Sequence, residues 1–170
     1  MNVNDFAILI GNRLNDILLY KNISINKLAC ISSVSKAQIY RILSGDCYTT
    51  LTTLFNLLKS LEVPIENFFN FSMPIEEIFD EMSIYTPSDM LKILSTNLKL
   101  QQANLSRLKG LTQAKMADNL NHVDYRYISY LLNGRNNEFI NMKVSTLFNI
   151  SKVLILDNLK IYSLHFKITS

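Results

Sequence analysis

The stretch whose reading decides the fold is Ser24–Gly45, SINKLACISSVSKAQIYRILSG. Its pattern predicts a short helix, a sharp turn and a second helix. Ser24 offers a hydroxyl that can accept from the free amides of a first turn, as a good N-cap does. Leu28 and Ala29 then face inward, Ser32 and Ser33 supply the break, and Val34 plugs the turn from below. Ser35 caps a second helix over Ser35–Ser44 whose Ile39, Ile42 and Leu43 make one apolar face. With that face turned to the core, Lys36, Ala37, Tyr40 and Arg41 are left on or beside the outer face, near the helix start. A small inner helix propping up an outer one that carries bases and hydrogen-bonding groups is what entry into a DNA major groove requires.

These residues resemble the helix-turn-helix of the Cro/CI (Xre) repressor family: the cap at Ser24, KLA at Lys27–Ala29, Val34 after the turn and IYRILSG at Ile39–Gly45. The stretch TLTTLFNLLKSLEVPIENFF at Thr50–Phe69 is similar to the family's fourth and fifth helices, so the resemblance covers residues 1–70. Two positions depart from it. Ser33 stands where the family often has Gly in the turn, and Ile25 where it often has a Gln that clamps the phosphate backbone. The resemblance implies a five-helix, lambda-repressor-like unit in a transcriptional regulator, usually a repressor that excludes polymerase from a promoter.

Working outward, Phe6–Tyr20 places Phe6, Ile10, Leu14, Ile17 and Leu18 on one helical face, with Gly11 tolerated. Thr50 caps a fourth helix that turns Leu51, Leu54, Leu57, Leu58 and Leu61 inward, and Pro64 fits the first turn of a short helix, Pro64–Phe69. Residues 71–87, bracketed by Pro74 and Pro87 with four acids and no base, read as an acidic linker. It contains a short helix, Ile75–Met82, whose Ile75, Ile78, Phe79 and Met82 make an apolar stripe that packs on one of the domains, with a partner-docking helix as the alternative. Glu76, Glu77, Asp80 and Glu81 make a solvated face; nothing around them suggests the sugar cleft that a glycosidase pair needs.

From Ser88 the pattern returns. LTQAKMA at Leu111–Ala117 matches ISINKLA at Ile23–Ala29, ISYLLNG at Ile128–Gly134 matches IYRILSG, and TLFNI at Thr146–Ile150 matches TLFNL at Thr53–Leu57. Three blocks in the same order, at separations of 88, 89 and 93, make an internal repeat with one residue gained in the turn and four more after Gly134. The expected fold is therefore all-α: two tandem helix-turn-helix units, 1–70 and a divergent 88–170, joined by 71–87. In the second unit a helix runs from Ser88 to near Leu108, Thr112 caps the next, and Gln113 matches the family's backbone-clamping Gln. Asp124 caps a helix over Asp124–Asn133, with Tyr125, Arg126, Ser129 and Tyr130 at the reading positions and Arg135 beyond it to reach a phosphate. The extra turn residue tilts this helix pair away from groove-reading geometry in one reading, and Tyr125, Tyr127 and Tyr130 suit protein contact as well as DNA. Leu159–Ile168 changes to an alternating period and reads as a short strand, with a closing helix over Leu159–Phe166 as the alternative. As a strand its edge would seek a mate, most simply in a dimer; His165 there is an ordinary surface residue rather than a ligand.

Composition bounds the rest. The 17 basic and 14 acidic residues leave a net charge of only +3, but residues 1–70 carry +1 and residues 88–170 carry +6, a surplus able to neutralise phosphates. Cys30 and Cys47, with only His122 and His165 beside them, lack zinc-site spacing, and each thiol reads as a buried or half-buried side chain in a reducing cytoplasm. No run approaches the roughly 20 apolar residues of a membrane span. Four glycines supply no phosphate loop, and no cofactor, metal cluster or catalytic constellation is indicated. The function expected is sequence-specific double-stranded DNA binding. Lys36, Ala37, Gln38, Tyr40, Arg41, Tyr125, Arg126, Ser129 and Tyr130 are the base readers, and Ser24, Ser35, Thr50, Thr112, Gln113 and Arg135 the phosphate contacts. Two heads on one chain can span major-groove faces about 34–36 Å apart, or a homodimer through the second unit or the tail can do so. The rival reading couples an autoregulatory DNA-binding unit to a protein-interaction module, as in antitoxins or phage inhibitors of host defence.

Overall fold

In the computed structural model the described residues are 2–46, 49–79, 87–120, 123–133 and 142–154, and among them the architecture is all-α. The helices are α1 (Val3–Tyr20), α2 (Ile25–Ser32), α3 (Lys36–Leu43), α4 (Leu51–Ser60), α5 (Ile65–Phe69), α6 (Pro87–Lys109), α7 (Gln113–Asn119), α8 (Tyr125–Asn133) and α9 (Val144–Val153). Most of these starts have a local cause. Asn2 and Asp5 close a capping box at α1, Ser24 accepts from the Lys27 amide at α2, Thr50 from Thr53 at α4 and Thr112 from Lys115 at α7. Pro87 sits at the first position of α6, where its missing N–H costs nothing.

Through Phe6, Ile10, Leu14, Ile17 and Leu18, all buried, α1 forms the floor on which α3 rests, and the five inward leucines of α4 and its cap face are buried with them. Arg13 is carried under as well. Its Nη2 donates to the carbonyls of Asn70 (3.1 Å) and Asn67 (3.5 Å) at the end of α5, a helix terminus that favours a cation. Burial lowers its pKa from the usual arginine value, with the charge of Asp16 opposing.

The second half repeats these relations. As α1 packs on α3 and α2 on α3, so α6 packs on α8 and α7 on α8. Asn22 after α1 and Gly110 after α6, separated by the repeat offset of 88, both take the left-handed conformation that ends a helix.

The halves are not held apart by the acidic segment. Buried side chains of both belong to one apolar cluster, in which Phe6 of α1 stacks on Phe148 of α9 at 4.8 Å and 26°. Between the starts of α4 and α9, Thr50 and Lys143 form an isolated antiparallel bridge: the Leu51 amide donates to the Met142 carbonyl (2.8 Å) and the Val144 amide to the Thr49 carbonyl (2.9 Å). At the offset of 93 that relates α4 to α9, Thr49, Leu51 and Thr50 correspond to Met142, Val144 and Lys143. Equivalent residues therefore pair with each other. The helix contacts across the halves, α1 on α9 and α6 on α4, are equivalents under the same exchange.

Two expectations need revision. The helix expected over Ile75–Met82 is a 3-10 turn, Ile75–Glu77, because Ile78 is drawn fully into the core and its carbonyl accepts from Asn67 Nδ2 (3.1 Å). Glu76 and Glu77 are exposed, as expected, while Asp80, Glu81 and Met82 lie outside the described residues. So do the strand expected at Leu159–Ile168, Cys47, His122 and His165. Cys30 is exposed rather than buried: it lies on α2 away from the face that Leu28 turns to the core.

Because one core serves both halves, the chain should unfold in urea as one cooperative transition, with helix circular dichroism and tyrosine fluorescence coincident. Phe148→Ala should lower its stability by about 3–5 kcal/mol; two separated transitions in the unaltered chain would contradict the shared core.

Candidate nucleic-acid interface

The α2–turn–α3 unit is built from local hydrogen bonds before it is packed. Ser32 stitches the turn: its hydroxyl donates to the Leu28 carbonyl (2.7 Å) and accepts from the Val34 amide (3.3 Å). Ser33 follows at φ 58°, the left-handed region for which a Gly is the unstrained choice, and Val34 is buried beneath the turn. Ser35 accepts from the Gln38 amide (3.3 Å) while its own amide donates to Gln38 Oε1 (3.2 Å), which closes a capping box at α3.

That box changes one assignment. The Ser35 hydroxyl also donates to Gln38 Oε1, at 3.0 Å, so the oxygen that a bidentate adenine contact needs is already an acceptor within the cap. Gln38 is a capping residue here, not a free base reader. The other outer positions stand as the periodicity expects: Ile39 and Ile42 are buried, and Lys36, Ala37, Tyr40 and Arg41 are exposed, Tyr40 by 59% despite its size.

The seating of α3 depends on a residue read as merely tolerated. A Cβ at Gly11 would lie 2.6 Å from the Ile42 carbonyl oxygen and 2.8 Å from that of Leu43, so a hydrogen there is what lets α1 and α3 approach backbone to backbone. Nothing in the spacing of the apolar residues signals this contact. Only the coincidence of Gly with a helix interior, where it costs about 1 kcal/mol against Ala, hints at a packing reason.

Around the rim, Ser24 and Thr112 are exposed and Gln113 half-exposed, each at the start of an inner helix, α2 or α7. Thr50 differs. Its hydroxyl serves Thr53, and the neighbouring Leu51 amide is taken by Met142, so the start of α4 faces the other half rather than a free phosphate path. Arg135 lies outside the described residues.

In the second unit α7 and α8 keep the bounds of α2 and α3 to within a residue or two, so the inserted residue is confined to the connection between Leu120 and Asp124. Tyr125, Arg126 and Tyr130 are exposed and Ser129 is half-buried, beside Asn133, whose Nδ2 donates to the Ser129 carbonyl (2.8 Å). Asp124 caps α8 through the Arg126 amide (2.8 Å) and faces the Arg126 guanidinium at 3.9 Å, an open ion pair that little energy holds together. Tyr127, counted with the outer tyrosines from the sequence, instead packs against the core, leaving two tyrosines outside.

No protein-family model, curated protein or solved structure matches this chain. Among the described residues no helix is long and apolar enough to cross a membrane, and no group of three or more His, Cys, Asp or Glu is placed to hold a metal ion.

Two substitutions test how the outer helix is held. Gly11→Ala should destabilise the fold in thermal melts, because about 1–3 kcal/mol of overpacking against backbone exceeds the helix propensity it gains. Ser33→Gly should do the reverse by up to about 1 kcal/mol, since about 1–2 kcal/mol of left-handed strain is relieved against the extra freedom of Gly in the unfolded chain. A stabilised Gly11→Ala protein would show that α1 and α3 do not meet as described.

Proposed function

We propose that this chain is a sequence-specific double-stranded-DNA-binding transcriptional regulator of the Cro/CI type, a repressor by the habit of that family, acting in the cytoplasm. The observation that carries the reading is the presentation of α3: capped by Ser35, seated by Gly11, and exposing Lys36, Ala37, Tyr40 and Arg41 together on the side away from the core. Lys36 and Arg41 donate to guanine O6 and N7, Tyr40 gives its ring to a thymine methyl or its hydroxyl to a phosphate, and Ala37 leaves room for close approach. Ser24, at the start of α2, fixes the position on a phosphate without reading sequence, while Ser35, whose hydroxyl and amide both donate to Gln38, serves as the cap of α3. On α8, Arg126 is the principal reader, with Thr112 and Gln113 on the backbone beside it.

One observation favours a second reading. Tyr125 and Tyr130 are exposed by 52% and 38%, and Arg126 already faces an acid, features that a protein-docking face on α8 would share while α3 alone reads an autoregulatory site.

Selection of bound duplexes from a random pool, followed by affinity measurements on the selected site and on scrambled DNA, tests the proposal. Lys36→Ala and Arg41→Ala should each reduce the preference for the selected site by about 1–3 kcal/mol, or roughly 5- to 150-fold, with helix content unchanged. Unaltered selectivity in both variants would remove α3 as the reading helix.

A further inference from the structure

The relation between the two halves constrains what kind of DNA site the chain takes. An interface in which residue i meets j while the equivalent of j meets the equivalent of i is isologous and implies a two-fold axis, whereas a head-to-tail repeat joins unlike surfaces. Here the interface is of the first kind: Thr50 bridges its own equivalent Lys143, the Leu51–Met142 and Val144–Thr49 hydrogen bonds exchange under the repeat, and so do the α1–α9 and α4–α6 contacts. The axis passes between Thr50 and Lys143. Each reading helix packs within its half on corresponding helices, α3 on α1 and α2, α8 on α6 and α7, which carries the axis out to α3 and α8 as an approximate relation, since the Gly11 that seats α3 has the exposed Lys99 as its counterpart.

We infer that one chain is a built-in pseudo-dimer whose operator is an imperfect inverted repeat, one half-site read by α3 and a different half-site by α8, with a single molecule bound per operator. This rests on the DNA-reading proposal above. A tandem chain is free to meet a direct repeat only if its units are related by translation; a two-fold pair matches the dyad of the duplex, and half-site order mirrors protein symmetry. The half-sites differ because the faces differ. At equivalent positions α3 carries Lys36, Ala37, Tyr40 and Arg41 where α8 carries Tyr125, Arg126, Ser129 and Tyr130, so the arginine moves from the fourth of these positions to the second and its guanine partner moves with it.

The test uses the full chain. Duplexes selected from a random pool give the two half-sites; these are then resynthesised in inverted and in direct order at the selected spacing. Affinity is measured for each, and the mass of the complex by analytical ultracentrifugation. The expected result is one chain per duplex, at least tenfold tighter binding to the inverted order, and loss of preference in only one half-site for Arg126→Ala and only in the other for Arg41→Ala. Both side chains are exposed, and the melting temperature of each variant checks that the fold is kept. Equal or tighter binding to the direct order overturns the inference, as does a complex of two chains on a true palindrome indifferent to Arg126→Ala. If no sequence is selected at all, the DNA-reading proposal itself fails and the operator symmetry falls with it, an outcome distinct from the other two.

Discussion

Two backbone hydrogen bonds, Leu51 to Met142 and Val144 to Thr49, fix the relation on which the rest of the molecule depends. Their net contribution is small, about 0.5–1.5 kcal/mol each, and they do not hold the halves together by strength. The apolar cluster does that, with Phe6 stacked on Phe148 across the junction and on Phe69 within its own half. What the two bonds contribute is register: Leu51 and Val144 are buried, and a buried amide left without an acceptor costs about 1–3 kcal/mol, so sliding one half along the other is penalised twice. Burial supplies the attraction and the paired amides choose one arrangement among many that would bury similar area.

The insertions of the second copy are placed consistently with that constraint. One residue is added between α7 and α8 and four lie beyond Gly134, both outside the helices that meet at the junction. From Met142 onward the correspondence with the first copy is unbroken through α9, where Phe148 stands for Phe55 and Leu154 for Leu61, all four buried. The exposed faces of α3 and α8 differ at all four outer positions, and buried positions differ too, Gln102 standing for Leu14 and Ser151 for Leu58. The correspondence is strongest along α4 and α9, which meet at the bridge, and weakest between α1 and α6.

Most of the fold was legible because it rests on short-range chemistry. Caps at Ser24, Ser35, Thr50 and Thr112, the apolar faces of α1, α3 and α4, and the repeat itself are written in spacings of three, four and about ninety residues. What was not legible depends on distance across the fold. The closeness of Gly11 to α3 is a contact between backbones separated by thirty residues in the chain, invisible to any periodicity. The double duty of Gln38 escaped because its position is compatible with both a cap and a reading face, and only geometry shows the cap occupied. Ile75–Met82 looked helical on its apolar stripe, yet burying Ile78 on α1's side of the molecule stops the helix after a single turn. Thr50 looked like an ordinary helix start until its neighbour's amide proved to belong to the other half.

Joining two reading units through a folded core also changes the energetics of recognition in the proposed function. When two separate chains assemble on a site, association costs several kcal/mol in translational and rotational freedom, by estimates of about 4–15 kcal/mol, and occupancy depends on protein concentration squared. In a single chain that cost falls within folding, and the second helix meets its half-site at an effective concentration set by the rigid junction. A head of modest affinity then suffices. In that proposal α8, with Arg126 beside two outer tyrosines and Ser129, is a weaker reader than α3, but one held in place by its own half: it would need to add only a factor of ten to a hundred to the affinity of α3, which corresponds to about 1.4–2.8 kcal/mol, within what a single well-placed guanine contact supplies. The asymmetry between the two faces is therefore compatible with cooperative reading, provided that the junction at Thr50 and Lys143 stays rigid enough to hold the weaker helix in place.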